Sequence, residues 1–252
     1  MDDIKLSIIT VVFNAEDLLE YTLDSVRAVK SDKVEYIVID GKSTDGSVDI
    51  LAKNKDIIDV LVSEPDKGIY DAMNKGIARA TGKYLIFMNA GDELVKNAGE
   101  RILSDNSDAD IIYGDALFVD DNRMELGLRS IFTSRSLPQE LTLNSYTMGQ
   151  RVCHQSFVVK RNIVQPFNMR YRISADYDWM LSCMARAKSS KNLVDPVSIF
   201  LHGGVSKQQL KKALSERFWI MVDHYGWLVT LWSHFKILIR GLKFYKINKR
   251  LD

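Results

Sequence analysis

The sequence predicts an α/β fold in which a mostly parallel sheet is flanked by helices. Three observations support this. Short β-branched runs recur four times within about the first 90 residues, amphipathic stretches separate them, and polar residues follow each run. Nearly continuous apolar runs are typical of parallel strands buried on both faces. We therefore expect right-handed βαβ units, which bind ligands at the carboxyl ends of their strands.

The individual elements follow from the apolar pattern and the turn residues. Strands are expected at 6–12, 35–40, 60–63, 83–88 and 110–119. Helices are expected at about 18–29, 48–53, 68–80 and 174–187. Asn14 is a candidate cap for the first helix and Ser174 for the last, while Thr81 and Gly82 close the third. The polar stretch 132–150 is interpreted as a loop-rich acceptor region.

Composition limits the class of protein. A chain of 252 residues with 46% hydrophobic residues can form one large domain with an appendage. Cys153 and Cys183 are too few for a disulfide framework or a zinc pattern, so we interpret them as core thiols in a reducing compartment. Asp2 and Asp3 stand where a signal peptide would carry basic residues. A cytoplasmic protein is expected.

The C-terminal segment 208–252 differs in charge from the rest of the chain. It holds nine Lys/Arg and three acidic residues, a net charge of +6, which leaves −5 for residues 1–207. Eight aromatic residues lie among these charges, and Asp223 and Lys236 interrupt its apolar stretches, so it does not read as a transmembrane helix. We expect an amphipathic helical extension that contacts an anionic membrane surface at the cytoplasmic face of the inner membrane. Packing on the domain and homodimerisation are the alternatives, and nucleic acid is not an expected partner.

Polar side chains collect where the predicted strands end. The turn after the first strand reads VVFNAEDLL, which is neither a glycine-rich dinucleotide loop nor a phosphate-binding Walker sequence. Without such a loop, a divalent cation held by carboxylates can neutralise a diphosphate. Asp92 is the best-placed carboxylate. The polar residues at the four strand ends are Asn14, Asp40, Glu64, Asp66, Asn89 and Asp92.

Four motifs resemble the family-2 glycosyltransferases, which have the Rossmann-like GT-A fold. They are SIITVVFNAE, the segment 40–47 (DGKSTDGS), the glycine- and alanine-spaced helix at 68–82, and Ala175-Asp176 in place of a Glu-Asp pair. The resemblance covers about residues 5–206. It implies an inverting transfer of a sugar from a nucleotide-sugar donor to a hydroxyl of a glycan or lipid-linked saccharide, in surface polysaccharide synthesis. The implied domain is 1–207, with a donor half at 1–100 and an acceptor half at 101–207.

The resemblance also implies roles for single residues. Asp176 is the expected catalytic base, and Asp178 should point elsewhere. The expected cation is Mn²⁺ or Mg²⁺, held by Asp92 and His202 with Ser206 assisting. The expected nucleotide-sugar contacts are Thr10, Asn14, Asp40, Asp66, Lys67, Asn74, Asn89 and Asp92.

Two departures from the family pattern keep alternatives open. Gly91 stands at the usual metal-ligand position and Met73 at a common arginine position. A nucleotide-sugar-binding protein with a decayed site is therefore one alternative, and it predicts donor binding without turnover. A sugar nucleotidyltransferase is another, although its glycine- and basic-rich loop is replaced here by FNAEDLL. His154 is interpreted as a structural residue, and Tyr177 and Trp179 either stack on a sugar or pack in the core.

Overall fold

The protein was analysed as a computed structural model that describes residues 4–133, 135–202 and 209–248, with side chains described up to residue 239. Nine strands form one sheet in the order β3-β2-β1-β4-β8-β6-β9-β5, with β7 paired to β6. The strands are β1 (Leu6–Val12), β2 (Val34–Asp40), β3 (Val60–Ser63), β4 (Tyr84–Phe87), β5 (Glu93–Leu94), β6 (Ile111–Val119), β7 (Glu125–Leu128), β8 (Phe157–Lys160) and β9 (Ser190–Leu201).

The first four strands pair in parallel, as the sequence predicts, and their carboxyl ends meet at one edge. The second half is mixed. Strand β8 runs antiparallel to both β4 and β6, whereas β9 runs parallel to β6. The sequence did not predict β5, β7, β8 and β9. The observed sheet is therefore parallel in its first four strands and mixed beyond them.

Seven α-helices accompany this sheet in the described residues, and the four predicted ones are among them. They are α1 (Leu19–Arg27), α2 (Ser47–Lys53), α3 (Ile69–Arg79), α4 (Ala98–Ser104), α5 (Arg129–Phe132), α6 (Ala175–Arg186) and α7 (Leu210–Asn248). Alternate side chains of β1 enter two different cores, because successive strand residues point to opposite faces. Ile9 packs in the core that contains α3 and α6, whereas Ile8 packs in the core that contains α1.

The predicted cap of the first helix is wrong. Helix α1 begins at Leu19 without a side-chain cap. Asn14 has a positive φ of 48°, and its Oδ1 accepts a hydrogen bond of 2.9 Å from the Thr44 N–H. Asparagine tolerates this left-handed conformation better than most residues. Asn14 therefore ties the loop after β1 to the loop after β2 instead of capping α1.

Helix α7 consists of two halves that meet at Gly226, where φ is 76° and ψ is 168°. The half at 210–225 packs on the domain through the buried side chains of Ala213, Ile220 and Met221. The half at 227–248 folds back on it, since the Phe218 ring contacts both Trp227 and His234. Within the described residues, no helix has the length and apolarity needed to cross a membrane.

Candidate active site

A cleft opens at the carboxyl ends of β1 and β2. Its volume is about 440 Å³, within the range of small-molecule sites. Most of its lining is apolar, and Phe13 presents an exposed ring there while Asp66 supplies a carboxylate. A Cβ at Gly41 would collide with Asp66 Oδ2 and lie 3.2 Å from Phe13 Cδ2. Glycine at position 41 therefore lets these two side chains close over the turn.

Asp40 lies beneath this cleft. It is fully buried, and its two oxygens accept hydrogen bonds of 2.5 Å from the hydroxyls of Ser43 and Ser63. The Ser43 N–H donates to the same carboxylate at 3.1 Å. A buried carboxylate is stable only when such donors surround it. The structure thus gives Asp40 the role of ordering the turn at 41–43.

Two further residues that were predicted to contact the nucleotide sugar use their polar side-chain atoms for hydrogen bonds within the protein. Thr10 is fully buried, and its hydroxyl donates to Met88 O at 2.6 Å and accepts from the Tyr36 hydroxyl at 3.0 Å. The Asn74 amide accepts from the Phe167 N–H at 2.6 Å and donates to Phe167 O at 3.1 Å. Neither side chain faces the cleft. Thr10 fixes the end of β4 to β1, and Asn74 fixes α3 to the backbone at Phe167.

Asp66 and Lys67 lie at the turn that leads into α3, and Asp66 lines the cleft. The Oδ1 atom of Asp66 accepts from the Gly68 N–H at 2.8 Å, while its Oδ2 atom faces Gly41 across the cleft. Lys67 is exposed at the same turn, and its backbone N–H donates to Asp71 at 3.0 Å. These contacts hold the turn that leads into α3 and leave the ammonium group at the surface.

The loop after β4 brings the predicted cation region together. Gly91 has a φ of 98°, and its N–H donates to the Thr22 hydroxyl at 2.9 Å. The Asp92 carboxylate accepts from Gln155 Nε2 at 2.7 Å. Burial raises the pKa of Asp92 to about 6, although the Gln155 hydrogen bond works in the opposite direction. Position 91 therefore requires glycine for its backbone, since a carboxylate residue there would be strained.

Asp176 lies at the start of α6 beside His154. Its Oδ2 is 3.6 Å from His154 Nδ1, and its Oδ1 is 3.3 Å from the Tyr70 hydroxyl. His154 Nε2 in turn lies 3.3 Å from the Asn89 amide nitrogen. Burial alone would raise the pKa of Asp176, but His154 and the positive charge of Arg217 outweigh it and hold this pKa below its usual value. The carboxylate is therefore ionised at neutral pH.

The element that carries Asp176 is held by the C-terminal helix. The Glu216 carboxylate accepts three backbone N–H groups, from Arg172 at 3.0 Å, Ile173 at 2.8 Å and Ser174 at 2.9 Å. Ser174 itself makes no side-chain cap, so the predicted cap is replaced by a residue of α7. A carboxylate at this end is also favoured by the helix dipole.

Asp178, the second carboxylate of α6, points away from Asp176 as predicted. Its Oδ1 lies 2.7 Å from His224 Nε2 on α7. Together with the Glu216 contacts, this pair fixes the first half of α7 to both sides of the helix start. The first half of the predicted tail thereby takes part in building the site.

In the described residues, no group of three or more His, Cys, Asp or Glu side chains is placed to hold a cation. A cation held by the smaller pair, Asp92 with His202, stays a prediction. The His202 ring stacks on Phe118 at 5.3 Å and meets Phe132 edge-on at 5.2 Å. Ser206 lies outside the described residues. Asn89 Oδ1 is buried, and no described group of the protein hydrogen-bonds to it. An oxygen acceptor of this kind, together with Asp92, fits a divalent cation whose remaining ligands come from a diphosphate and water.

The structure also decides the roles of residues that the sequence left open. Trp179 is buried between Phe167 at 4.9 Å and Phe87 at 5.4 Å, and Tyr177 is buried against Tyr146, so both pack in the core. Cys153 and Cys183 are buried free thiols, as expected.

Five residues of the site were not identified from the sequence: Phe13, Tyr70, Gln155, Glu216 and Arg217. Gln155 adjoins His154, which was named from the sequence, and this adjacency is its one local signal. Glu216 and Arg217 lie in the segment that the charge pattern assigned to the tail, and no local signal links them to α6.

The comparisons with known proteins agree with this geometry. The model of Glycosyl transferase family 2 matches residues 7–165. A PGL/p-HBAD biosynthesis glycosyltransferase of Mycobacterium bovis is 30% identical over 189 residues, which are 71% of this chain and 69% of that protein. The chain therefore belongs to glycosyl transferase family 2, and the sugar-transferase class expected from the sequence is confirmed.

Two solved structures share the fold. S. aureus TarS 1–349 superposes with a TM-score of 0.64 and 17% identity over 88% of this chain, which spans 66% of that chain. The mannosyltransferase PcManGT of Pyrobaculum calidifontis, solved with GDP-Man and Mn²⁺, gives a TM-score of 0.61 and 16% identity over 91% of this chain and 71% of that chain. TarS 1–349 has also been solved with UDP-GlcNAc. These similarities confirm the GT-A architecture.

Proposed function

We propose that this enzyme transfers a sugar from a nucleotide-sugar donor to a hydroxyl of a saccharide or lipid-linked saccharide, with inversion, during assembly of a bacterial cell-surface glycan at the cytoplasmic face of the membrane. The observation that carries the proposal is an ionised Asp176, held beside His154 and next to the loop that follows β4. The biosynthetic name of the mycobacterial relative supports the glycan setting. The nucleotide sugars bound by TarS and PcManGT support the donor class.

The donor's nucleoside would occupy the cleft beside Phe13. Its base can stack on the exposed ring, and Asp66 supplies an acceptor for base or ribose donors. Asn14 and Lys67 flank the same end of the sheet and complete the polar rim. Asp40 acts through the 41–43 turn that forms the floor.

The diphosphate would then extend toward the loop at 89–92. Asp92 and Asn89 are the residues that would hold Mn²⁺ or Mg²⁺ there, and the bound cation would offset the charge of the leaving diphosphate. Arg123 Nη1 hydrogen-bonds Gly91 O at 2.9 Å and steadies this loop. His202 follows β9, and its ring packs against both Phe118 and Phe132. It is therefore a less favoured cation ligand than Asp92 and Asn89.

The acceptor hydroxyl would lose its proton to Asp176 while it attacks the anomeric carbon. Inversion needs one base on the side opposite the leaving group. A carboxylate with a lowered pKa is ready in its basic form at neutral pH, and His154 and Tyr70 keep it in one orientation. Family membership favours this chemistry over nucleotidyl transfer, and the intact Asp176 environment argues against a decayed site.

The test separates donor binding from transfer. A panel of UDP-, GDP- and dTDP-sugars, each with and without Mn²⁺ or Mg²⁺, is scored by thermal shift, since a donor at 100 times its Kd adds about 2.7 kcal/mol of stability. The stabilising donor is then offered with acceptor saccharides. We expect Asp176→Asn to abolish transfer and to keep donor affinity nearly intact.

A variant of the cleft serves as the matched comparison. Phe13→Ala should weaken donor binding by about 1–3 kcal/mol, the value of one base-stacking contact, and leave the catalytic step itself unchanged. Equal transfer by Asp176→Asn and the unmodified enzyme would reject Asp176 as the base. Donor binding without transfer to any acceptor, in the unmodified enzyme, would support the decayed-site alternative instead.

A further inference from the structure

In the second half of α7, small polar side chains face the protein and large apolar side chains face outward. Thr230 is 0% exposed and Ser233 is 4% exposed, and both lie on the face turned toward the protein. The outward face carries large apolar side chains that are between 37% and 86% exposed. These are Trp227, Leu228, Val229, Leu231, Trp232, Phe235, Leu238 and Ile239. A surface helix normally shows the opposite arrangement.

Two inward polar groups, those of Thr230 and His234, form hydrogen bonds within the helix itself. Thr230 Oγ1 donates to Gly226 O at 2.8 Å, and His234 Nδ1 lies 2.9 Å from Thr230 O. The His234 ring packs edge-on against Phe218 of the first half at 5.1 Å. The helix therefore has a defined contact with the protein on its polar side. The apolar face is left outward by this packing.

An exposed apolar stripe of this length indicates a binding surface. The stripe contains two tryptophans, which favour membrane–water interfaces. Lys236 lies beside it, with its Nζ 5.1 Å from the centre of the Trp232 ring. Residues 227–252 contain six Lys/Arg and a single acidic residue, Asp252. Apolar and aromatic side chains beside an uncompensated positive charge match the interface of an anionic bilayer.

We propose that the outward face of residues 227–239 docks in the headgroup region of an anionic lipid bilayer, with the helix lying in the membrane plane. Charge favours this occupant over a second copy of the chain. A twofold pairing through the stripe would bring two basic segments together, and each contributes one acidic residue against six basic ones. Anionic headgroups supply the missing negative charge.

Docking would also orient the active site. The first half of α7 holds the start of α6 through Glu216 and pairs His224 with Asp178 at 2.7 Å. The second half is anchored on that first half through Phe218. Asp176 is therefore linked to the membrane-facing helix by a short series of packed contacts. This orientation of the active site rests on the proposed function, because it assumes that Asp176 is the base and that a lipid carries the acceptor.

The test is co-sedimentation of the full chain with vesicles of phosphatidylcholine alone and of phosphatidylcholine mixed with phosphatidylglycerol, without donor or acceptor. We expect binding to the anionic vesicles that weakens as salt rises. Leu231→Glu combined with Phe235→Glu should reduce partitioning at least about tenfold, because two large apolar side chains no longer enter the interface. Met124→Glu, at an exposed apolar position on the β6–β7 turn, is the matched control and should bind as the unmodified chain does.

Circular dichroism and sedimentation velocity complete the design. The doubly substituted chain should keep its helical signal, since both positions are more than half exposed. Failure of the unmodified chain to bind anionic vesicles would overturn the proposal. A second result would also overturn it: the unmodified chain is a dimer that does not bind vesicles, and the double substitution converts it to a monomer. That result would assign the stripe to contact with a second copy of the chain. Vesicle binding needs no turnover, so its failure leaves the sugar-transfer proposal standing, and loss of transfer in Asp176→Asn leaves vesicle binding unchanged.

Discussion

Glu216→Gln tests whether the C-terminal helix holds the catalytic element. The carboxylate accepts three N–H groups at 2.8–3.0 Å just before α6. Glutamine keeps the shape but has one acceptor oxygen, so its best orientation keeps the Ile173 and Ser174 bonds and turns an NH₂ group toward the Arg172 N–H. The Arg172 N–H is at the surface, where water can replace the lost bond. The other two bonds lose their charge assistance, at about 1 kcal/mol each.

The expected loss is about 1–3 kcal/mol of unfolding free energy, measurable against the 5–15 kcal/mol typical of a domain. Urea unfolding followed by circular dichroism measures it, with Glu100→Gln on α4 as the control. We also expect kcat to fall with little change in donor affinity, because Asp176 moves while the cleft stays intact. A loss below about 0.5 kcal/mol, which is normal for a surface substitution, would refute the reasoning.

Two further predictions concern the loop after β4. Gly91→Asp should lower the unfolding free energy by about 1–3 kcal/mol because φ is 98° there, and Gly91→Ala should cost about the same if backbone strain is the cause. A gain in Mn²⁺ affinity by Gly91→Asp without this loss would contradict that explanation. Burial raises the pKa of Asp92 from 3.8 to about 6. Between these two pH values the folded chain therefore holds a proton that the unfolded chain has released. The resulting contribution to the unfolding free energy is fully present below pH 3.8 and is lost as the pH rises through about 6. Relative to Asp92→Asn, the unmodified chain should therefore lose about 1–2 kcal/mol between pH 5 and pH 8, measured by urea unfolding in the presence of chelator. A pH-independent difference would exclude Asp92 as the source.

The first four strands of the fold were predictable because their signals are local. Strands β1 and β3 have the predicted bounds, and β2 and β4 differ by one residue at their ends. In β1, β2 and β4 a continuous apolar run reflects burial on both faces, whereas β3 alternates between half-buried and exposed positions. Strand β9 was missed, since its sequence contains Pro196 and charged residues and its identity comes from pairing with β6.

The site was predictable only in part, and the reason is again distance along the chain. Asp176 and Asp92 were singled out from motifs. Asp176 stands at the start of a predicted helix, and Asp92 stands in the turn after a predicted strand. The partners that set their chemistry are distant in sequence: Gln155 is 63 residues from Asp92, and His154 precedes Asp176 by 22 residues, with β8 between them. Thr10 and Asn74 matched the motif pattern too, yet backbone groups of distant strands and loops engage their polar atoms.

The sequence by itself determined the parallel α/β core, the family and the unusual charge of the C-terminal segment, because apolar periodicity, turn residues and net charge are properties of short stretches. Tertiary structure decided which half of that segment supports the active site and which half faces outward. A break at Gly226 separates the two, so Glu216 reaches the start of α6 while Leu228 and Trp232 point away from the protein. Periodicity shows that a helix has an apolar face, but only packing shows what that face meets.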